Sequence, residues 1–202
     1  MKDAAQKIVE AARYLAARGW APAGAGNYSH RLTDGTFAVT ISGAHKANLA
    51  AADVMRINAD GLSLDGRRPS AEAALHLTVY RLHPEAQAVL HTHSIPAVAL
   101  TRALAEDESL LLKGYELQKA FPGVETHEAV VELPIYDNSQ NMDALAIEVA
   151  SDLIVRPAPA FLIRDHGLYA WGRSMDEALR VVEAAETLIA CELEVLRLNR
   201  RP

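Results

Sequence analysis

The feature that most constrains this chain is Ala88-Val89-Leu90-His91-Thr92-His93-Ser94, an apolar run that ends in two histidines two positions apart. It reads as a short β-strand. Successive side chains along a strand point to opposite faces, so His91 and His93 project side by side, about 7 Å apart along the backbone, while Thr92 faces the other way. Two neutral imidazoles on one face suit a divalent metal such as zinc.

The remaining sequence bounds the setting of that strand. A chain of 202 residues, half of them apolar, can bury one substantial core and does not require two domains, so a single unit over 1–202 is expected. The formal charge is −6 and no basic block is present, which argues against nucleic acid or an anionic membrane as a partner. Cys191 is the single cysteine, so no internal disulfide forms, in keeping with a reducing cytoplasm. The first residues lack the apolar core of a signal peptide, and no run of apolar residues is long enough to span a membrane.

Read in order, the chain alternates strands and helices without a strict βαβ rhythm. Residues 3–18 predict an amphipathic helix, 28–32 and 37–41 two strands joined at Asp34-Gly35, and 54–58 a third strand. Ser70 is the expected N-cap of a helix over 71–82, with Glu72 in its first turn, where a carboxylate suits the helix dipole. The histidine strand follows, then helices at 96–105, 113–121 and 140–152, the second of these short, and strands at 129–136, 160–164 and 168–171. Ser174-Met175-Asp176-Glu177 matches a capping box at the start of a helix over 174–198. This pattern predicts an α/β sandwich around a mixed, largely antiparallel sheet.

Three clusters of residues carry chemistry. For the metal, His166 is the best candidate third ligand: it ends a predicted strand beside Gly167, where the backbone is uncrowded, and three histidines leave a tetrahedral ion one open position. His76, in mid-helix among leucines, and His83, at a helix C-terminus, are weaker candidates. For a phosphate, Gly26-Asn27, Ser42-Gly43 and Ser70 sit at junctions where small residues expose backbone N–H groups, and Lys46 and His45 can add charge. For proton transfer, the candidates are Glu116, flanked by Tyr115 and Leu117, and its rival Glu72.

Several segments in this order resemble the class II aldolase/adducin family. They are Gly26-Asn27-Tyr28-Ser29, Ile41-Ser42-Gly43, Ser70-x-Glu72-x-x-Leu75-His76, His91-Thr92-His93-Ser94 and Arg164-x-His166-Gly167. The match runs along nearly the whole chain. Within the family, Ser42-Gly43-Ala44-His45-Lys46, the segment from Gly114 to Lys119, Pro134 to Asn138, and His166 to Gly172 point to a branch that removes water from a ketose 1-phosphate. The resemblance implies a three-layer α/β/α sandwich, one Zn2+ on His91, His93 and His166, and Glu116 as the acid/base residue. It places phosphate-binding groups around Asn27, Ser42, Gly43 and Ser70. The aldolase branch carries a glutamate at the position of Glu72 that acts in proton transfer, and a serine often follows Ser70 where this chain has Ala71. Both glutamates are present here, which leaves their division of labour open. The family commonly forms fourfold tetramers with sites near subunit boundaries, so a homotetramer is expected. Two other readings stay open: a metal-dependent sugar-phosphate aldolase or 4-epimerase, and a non-catalytic interaction domain of the adducin type.

Overall fold

Strands that alternate between two apolar faces must be covered on both, and this chain builds one eight-stranded sheet with helices on each side. The structure, a computed structural model, describes residues 1–199; residues 200–202 of the expected unit lie outside the described residues. In chain order the elements are α1 (Lys2–Ala17), β1 (Asn27–Arg31), β2 (Phe37–Thr40), β3 (Val54–Ile57), α2 (Ala73–Leu82), β4 (Ala88–Thr92), α3 (Ile95–Ala103), β5 (Ser109–Leu112), β6 (Val131–Tyr136), α4 (Met142–Val155), β7 (Ala160–Ile163), β8 (Gly167–Gly172) and α5 (Met175–Asn199). The strands lie in the order β3-β2-β1-β4-β8-β7-β6-β5, and every pairing is antiparallel except that of β6 with β7. The expected mixed, largely antiparallel sheet is therefore present. Among the described residues no helix is long and apolar enough to cross a membrane.

Period-two alternation sorts the apolar residues into two cores. Ala88 and Leu90 of β4, Leu162 of β7, and Leu168 and Ala170 of β8 pack with Ile8 and Leu15 of α1 and with Val181 and Ala185 of α5. Val89, Phe161, Tyr169 and Trp171 point the opposite way and pack with Leu75 and Val79 of α2 and Leu145 and Val149 of α4. Each fully buried aliphatic side chain of this kind stabilises the fold by about 1.5–3 kcal/mol. Because β4 lies inside the sheet between β1 and β8, the ladder on both sides sets its register, pairing Asn27 with His91 and His91 with Tyr169.

Local boundaries differ from the sequence expectation at several places, and the histidine strand ends at Thr92, so His93 lies just beyond it. Residues 71–72 form a turn and α2 begins at Ala73, so Ser70 is not its N-cap; the Ser70 carbonyl instead accepts the Ala73 N–H at 3.1 Å. The expected short helix over 113–121 is a single 3₁₀ stretch, Glu116–Ala120. Strand β5 was not expected. Its Ser-Leu-Leu-Leu run carries no turn signal, and only pairing with β6 at the edge of the sheet makes it a strand.

Two glycines let the neighbouring strands close on β4. A Cβ on Gly26, whose φ is +93°, would stand 2.6 Å from the His91 carbonyl oxygen, and one on Gly167 would stand 1.8 Å from the Thr92 oxygen. Replacing Gly167 by Ala should therefore push β8 away from β4 and destabilise the protein by more than about 3 kcal/mol, read by urea unfolding. A loss under about 0.5 kcal/mol would show that the strand entry yields freely.

Candidate metal centre

Alternation on β4 sends His91 toward the α2/α4 side, and the sheet then brings its partners to it. The ring of His91 is fully buried and stacks on Tyr169 at 3.9 Å between centroids, and Tyr169 stacks on Phe161 at 4.8 Å. His91 Nδ1–H donates to the Leu168 carbonyl at 2.9 Å, which fixes the tautomer and leaves Nε2 with its lone pair toward the site. His93, one residue past the end of β4, has its ring centroid 4.5 Å from that of His91. His166 enters from the turn before β8, where Asp165 takes a left-handed φ of 56°, and its ring lies 4.9 Å from His91 and 4.6 Å from His93.

The fourth member is Glu72, in the turn ahead of α2. Its Oε1 is 2.9 Å from His166 Nε2 and its Oε2 is 3.8 Å from His91 Nε2. One ligand atom from each of Glu72, His91, His93 and His166 falls within 4.8 Å of all the others. Burial pushes the Glu72 carboxyl up, but the hydrogen bond from His166 and the facing imidazoles outweigh it and hold the group at about 2. Burial pushes both His91 and His93 down, His93 to about 4, so these rings are neutral at pH 7. Neutral imidazole nitrogens converging beside an ionised carboxylate are a donor set that a divalent cation fits.

Behind Glu72 runs a buried hydrogen-bonded chain whose directions are all determined. Asn27 Nδ2 donates to Glu72 Oε2, so Asn27 Oδ1 faces His76 Nε2, which must carry its proton. His76 Nδ1 then accepts from the Ser29 hydroxyl at 2.6 Å, and the Ser29 oxygen accepts from Tyr80 at 2.9 Å. His76 thus lies outside the cluster of Glu72, His91, His93 and His166 but is tied to it through Asn27. The available signal was its spacing four residues after Glu72, which places both on one side of a helical turn. His83 is elsewhere, with its ring 4.9 Å from that of Trp171 and its Nδ1 3.4 Å from Glu85.

The remaining candidates divide. Ser42 and Gly43 are exposed, and their loop is joined to the segment before Ser70 by the Ile41–Pro69 bridge and by Ser42 N–H donating to the Arg68 carbonyl at 3.1 Å. Ser70 lines a small cavity with Asn27 and His76. Lys46 is buried, and its ammonium donates to the Gly24 carbonyl at 3.3 Å and to the Ala44 carbonyl, which pins the loops that lead into Asn27 and out of Ser42. His45 is exposed, with its ring against Gly24. Glu116 is not brought to the cluster within one chain: its side chain is 73% exposed and pairs with Lys119, with His127 at 3.8 Å.

The class II aldolase and adducin N-terminal domain family matches residues 6–193, and the chain belongs to that family. Relatives named methylthioribulose-1-phosphate dehydratase run along almost its whole length. The one from Marinobacter nauticus is 49% identical over 199 residues, 98% of this chain and 96% of its own. The one from Pseudomonas paraeruginosa is 50% identical over 197 residues, 96% of each. Among solved structures, the L-fuculose-1-phosphate aldolase of Thermus thermophilus superposes with a TM-score of 0.79 at 27% identity, covering 100% of both chains.

The buried chain predicts a pH dependence. Burial holds the His76 imidazole at about 4, against about 6.5 in an unfolded chain. The unfolded state therefore binds the extra proton between those values, so stability is complete above about pH 6.5 and falls as the pH drops toward 4. His76→Gln should flatten this part of the pH–stability curve by on the order of 3 kcal/mol, measured by urea unfolding at neutral and acidic pH. Equal slopes in the two proteins would reject a buried neutral His76.

Proposed function

We propose that this chain is a zinc-dependent hydro-lyase that converts 5-methylthioribulose 1-phosphate to 2,3-diketo-5-methylthiopentyl 1-phosphate, a step of methionine salvage. We propose further that it works in the cytoplasm as a homotetramer. The observation that carries the reading is 49–50% identity, over nearly the full length, to relatives bearing that activity as their name. The site supports it with the chemistry such an elimination needs.

His91, His93 and His166 would hold the zinc. Bound there, it would supply a Lewis acid for the negative charge that develops on the ketose oxygens as a proton leaves carbon 3. Asn27, Ser42, Gly43 and Ser70, with Lys46 and His45 beside them, would receive the phosphate through backbone N–H groups and small polar side chains. The carboxylates have separate tasks in this reading. Glu72, anchored by Asn27 and His166, orients the imidazoles and balances charge. Glu116 takes the carbon-3 proton and returns one to the carbon-4 hydroxyl as it departs as water.

Glu116 performs this role at the site of a second copy. Its exposure on one chain supports that arrangement, as does the presence of exposed Leu111, Leu117 and Val130 on the β5–β6 segment that carries it. On the single chain the hydrogen bond from Lys119 holds the Glu116 carboxyl below its ordinary value. Covering it with a second copy supplies the opposite push that a proton-transfer group near neutral pH requires.

A second reading is favoured by the full-length superposition on an L-fuculose-1-phosphate aldolase: the same proton chemistry serves carbon–carbon cleavage. Carbon NMR of the zinc-loaded protein with 5-methylthioribulose 1-phosphate separates the two. An intact diketone or its enol is expected, and two fragments would make the chain an aldolase. Subunit mixing tests the placement of Glu116. His93→Ala and Glu116→Gln should each be inactive alone, and random co-assembly should restore about a quarter of wild-type activity if each site draws on two copies. No recovery would place Glu116 at the site of its own chain or remove it from the reaction.

A further inference from the structure

Thr92 faces away from His91, and on that opposite side it meets a carboxylate. Glu186, in the middle of α5, is 1% exposed, and its two oxygens accept hydrogen bonds from the hydroxyls of Thr92 and Ser94. These are the two residues that flank His93. Ser94 is in turn the N-cap of α3, accepting the Ala97 N–H at 3.0 Å. One side chain therefore joins the end of β4, the start of α3 and the middle of α5.

The need for such a tie follows from where the strand stops. The ladder of β4 ends at Thr92, so β1 and β8 hold His91 directly but not His93. The backbone beyond is held instead by His93 N–H donating to the Trp20 carbonyl at 2.9 Å and by the two hydroxyls on Glu186. With the residue on each side of His93 anchored to one rigid carboxylate, the backbone direction that aims its imidazole is set.

A buried carboxylate is a costly way to fill space. Among the described residues the partners of Glu186 are the two hydroxyls and no cation, and burial pushes its carboxyl up to about 7 although both hydroxyls oppose that shift. The Tyr28 hydroxyl, close enough to feel the Glu186 charge, is buried without a partner. Packing alone does not call for a carboxylate at this position; what an apolar residue would lose is the acceptor for the buried Thr92 and Ser94 hydroxyls.

We propose that Glu186 is a positioning residue for the metal centre, holding His93 in the ligating direction by gripping Thr92 and Ser94 from the opposite face of β4. The proposal rests on the reading of His91, His93 and His166 as metal ligands. Groups that orient ligands from behind are commonly worth 10–100-fold in metal affinity.

The test uses the full chain and the metal alone. Zinc affinity is read by competition with a chromogenic chelator, and coordination geometry by the visible absorption of the cobalt(II) form. Glu186→Leu should weaken zinc binding by about 10–100-fold and alter the cobalt bands, while the metal-free protein folds with a lower thermal midpoint, because two buried hydroxyls lose their acceptor. Glu186→Gln keeps one acceptor and lets the second hydroxyl turn to accept from the amide, so it should stay within about threefold of wild type. A leucine variant with wild-type zinc affinity and an unchanged cobalt spectrum would overturn the proposal. If that variant does not fold, Thr92→Val carries the test: a several-fold loss of affinity supports the proposal and unchanged affinity overturns it. A wild-type chain that binds neither ion would overturn the metal reading, and the proposal with it, which distinguishes the two failures.

Discussion

The candidate site depends on one strand being held from every direction. β4 lies between β1 and β8 in antiparallel ladders, and its alternate side chains enter two separate cores. A slip of one residue would turn His91 into the α1/α5 core and Thr92 toward the Glu72 and histidine cluster. Such a slip would also drive Ala88 and Leu90 out of a packed layer. The hydrophobic pattern of the strand and the aim of its histidines are thus enforced by the same register, and Gly26 and Gly167 allow the neighbouring strands to close on it.

Polar groups gathered at the end of the sheet would be unfavourable if each were buried alone. They are tolerated because they are linked. Glu72 is satisfied by Asn27 and His166, Asn27 by His76, and His76 by Ser29 and Tyr80. A hydrogen-bonded chain of this kind stiffens its members and holds the carboxylate facing the imidazoles. The loops around it are joined by the same means, with Lys46 bridging the turns before Asn27 and after Ser42. Glu116 stands outside this chain of bonds: in the single chain it is exposed and pairs with Lys119.

Much of the architecture was legible because it rests on local periodicity. Alternation over 88–93, the 3.6-residue repeat of α1 and α5, and turn residues such as Asp34-Gly35 act over a few positions and need no tertiary context. Element ends were less legible. Ser70 has the chemistry of an N-cap, yet residues 71–72 form a turn and the helix starts later, so Glu72 faces the histidines and is not a first-turn helix residue. β5 was not legible at all, since a short edge strand is defined by its partner β6 and not by its own pattern.

By itself, the sequence determined that His91 projects from one face of a strand and that Thr92 opposes it, because backbone alternation is a local property, and the order of its motifs placed His93, His166 and Glu72 in the family pattern around them. Only the tertiary structure decided that Glu72 and not Glu116 stands beside the imidazoles in one chain, that His76 serves the site through Asn27, and that Glu186 lies behind Thr92 and Ser94. Those contacts join residues from 19 positions apart, Glu72 and His91, to 94 apart, Thr92 and Glu186. Such pairs are chosen by how helices pack on the two faces of the sheet, and no local preference of the chain encodes that choice.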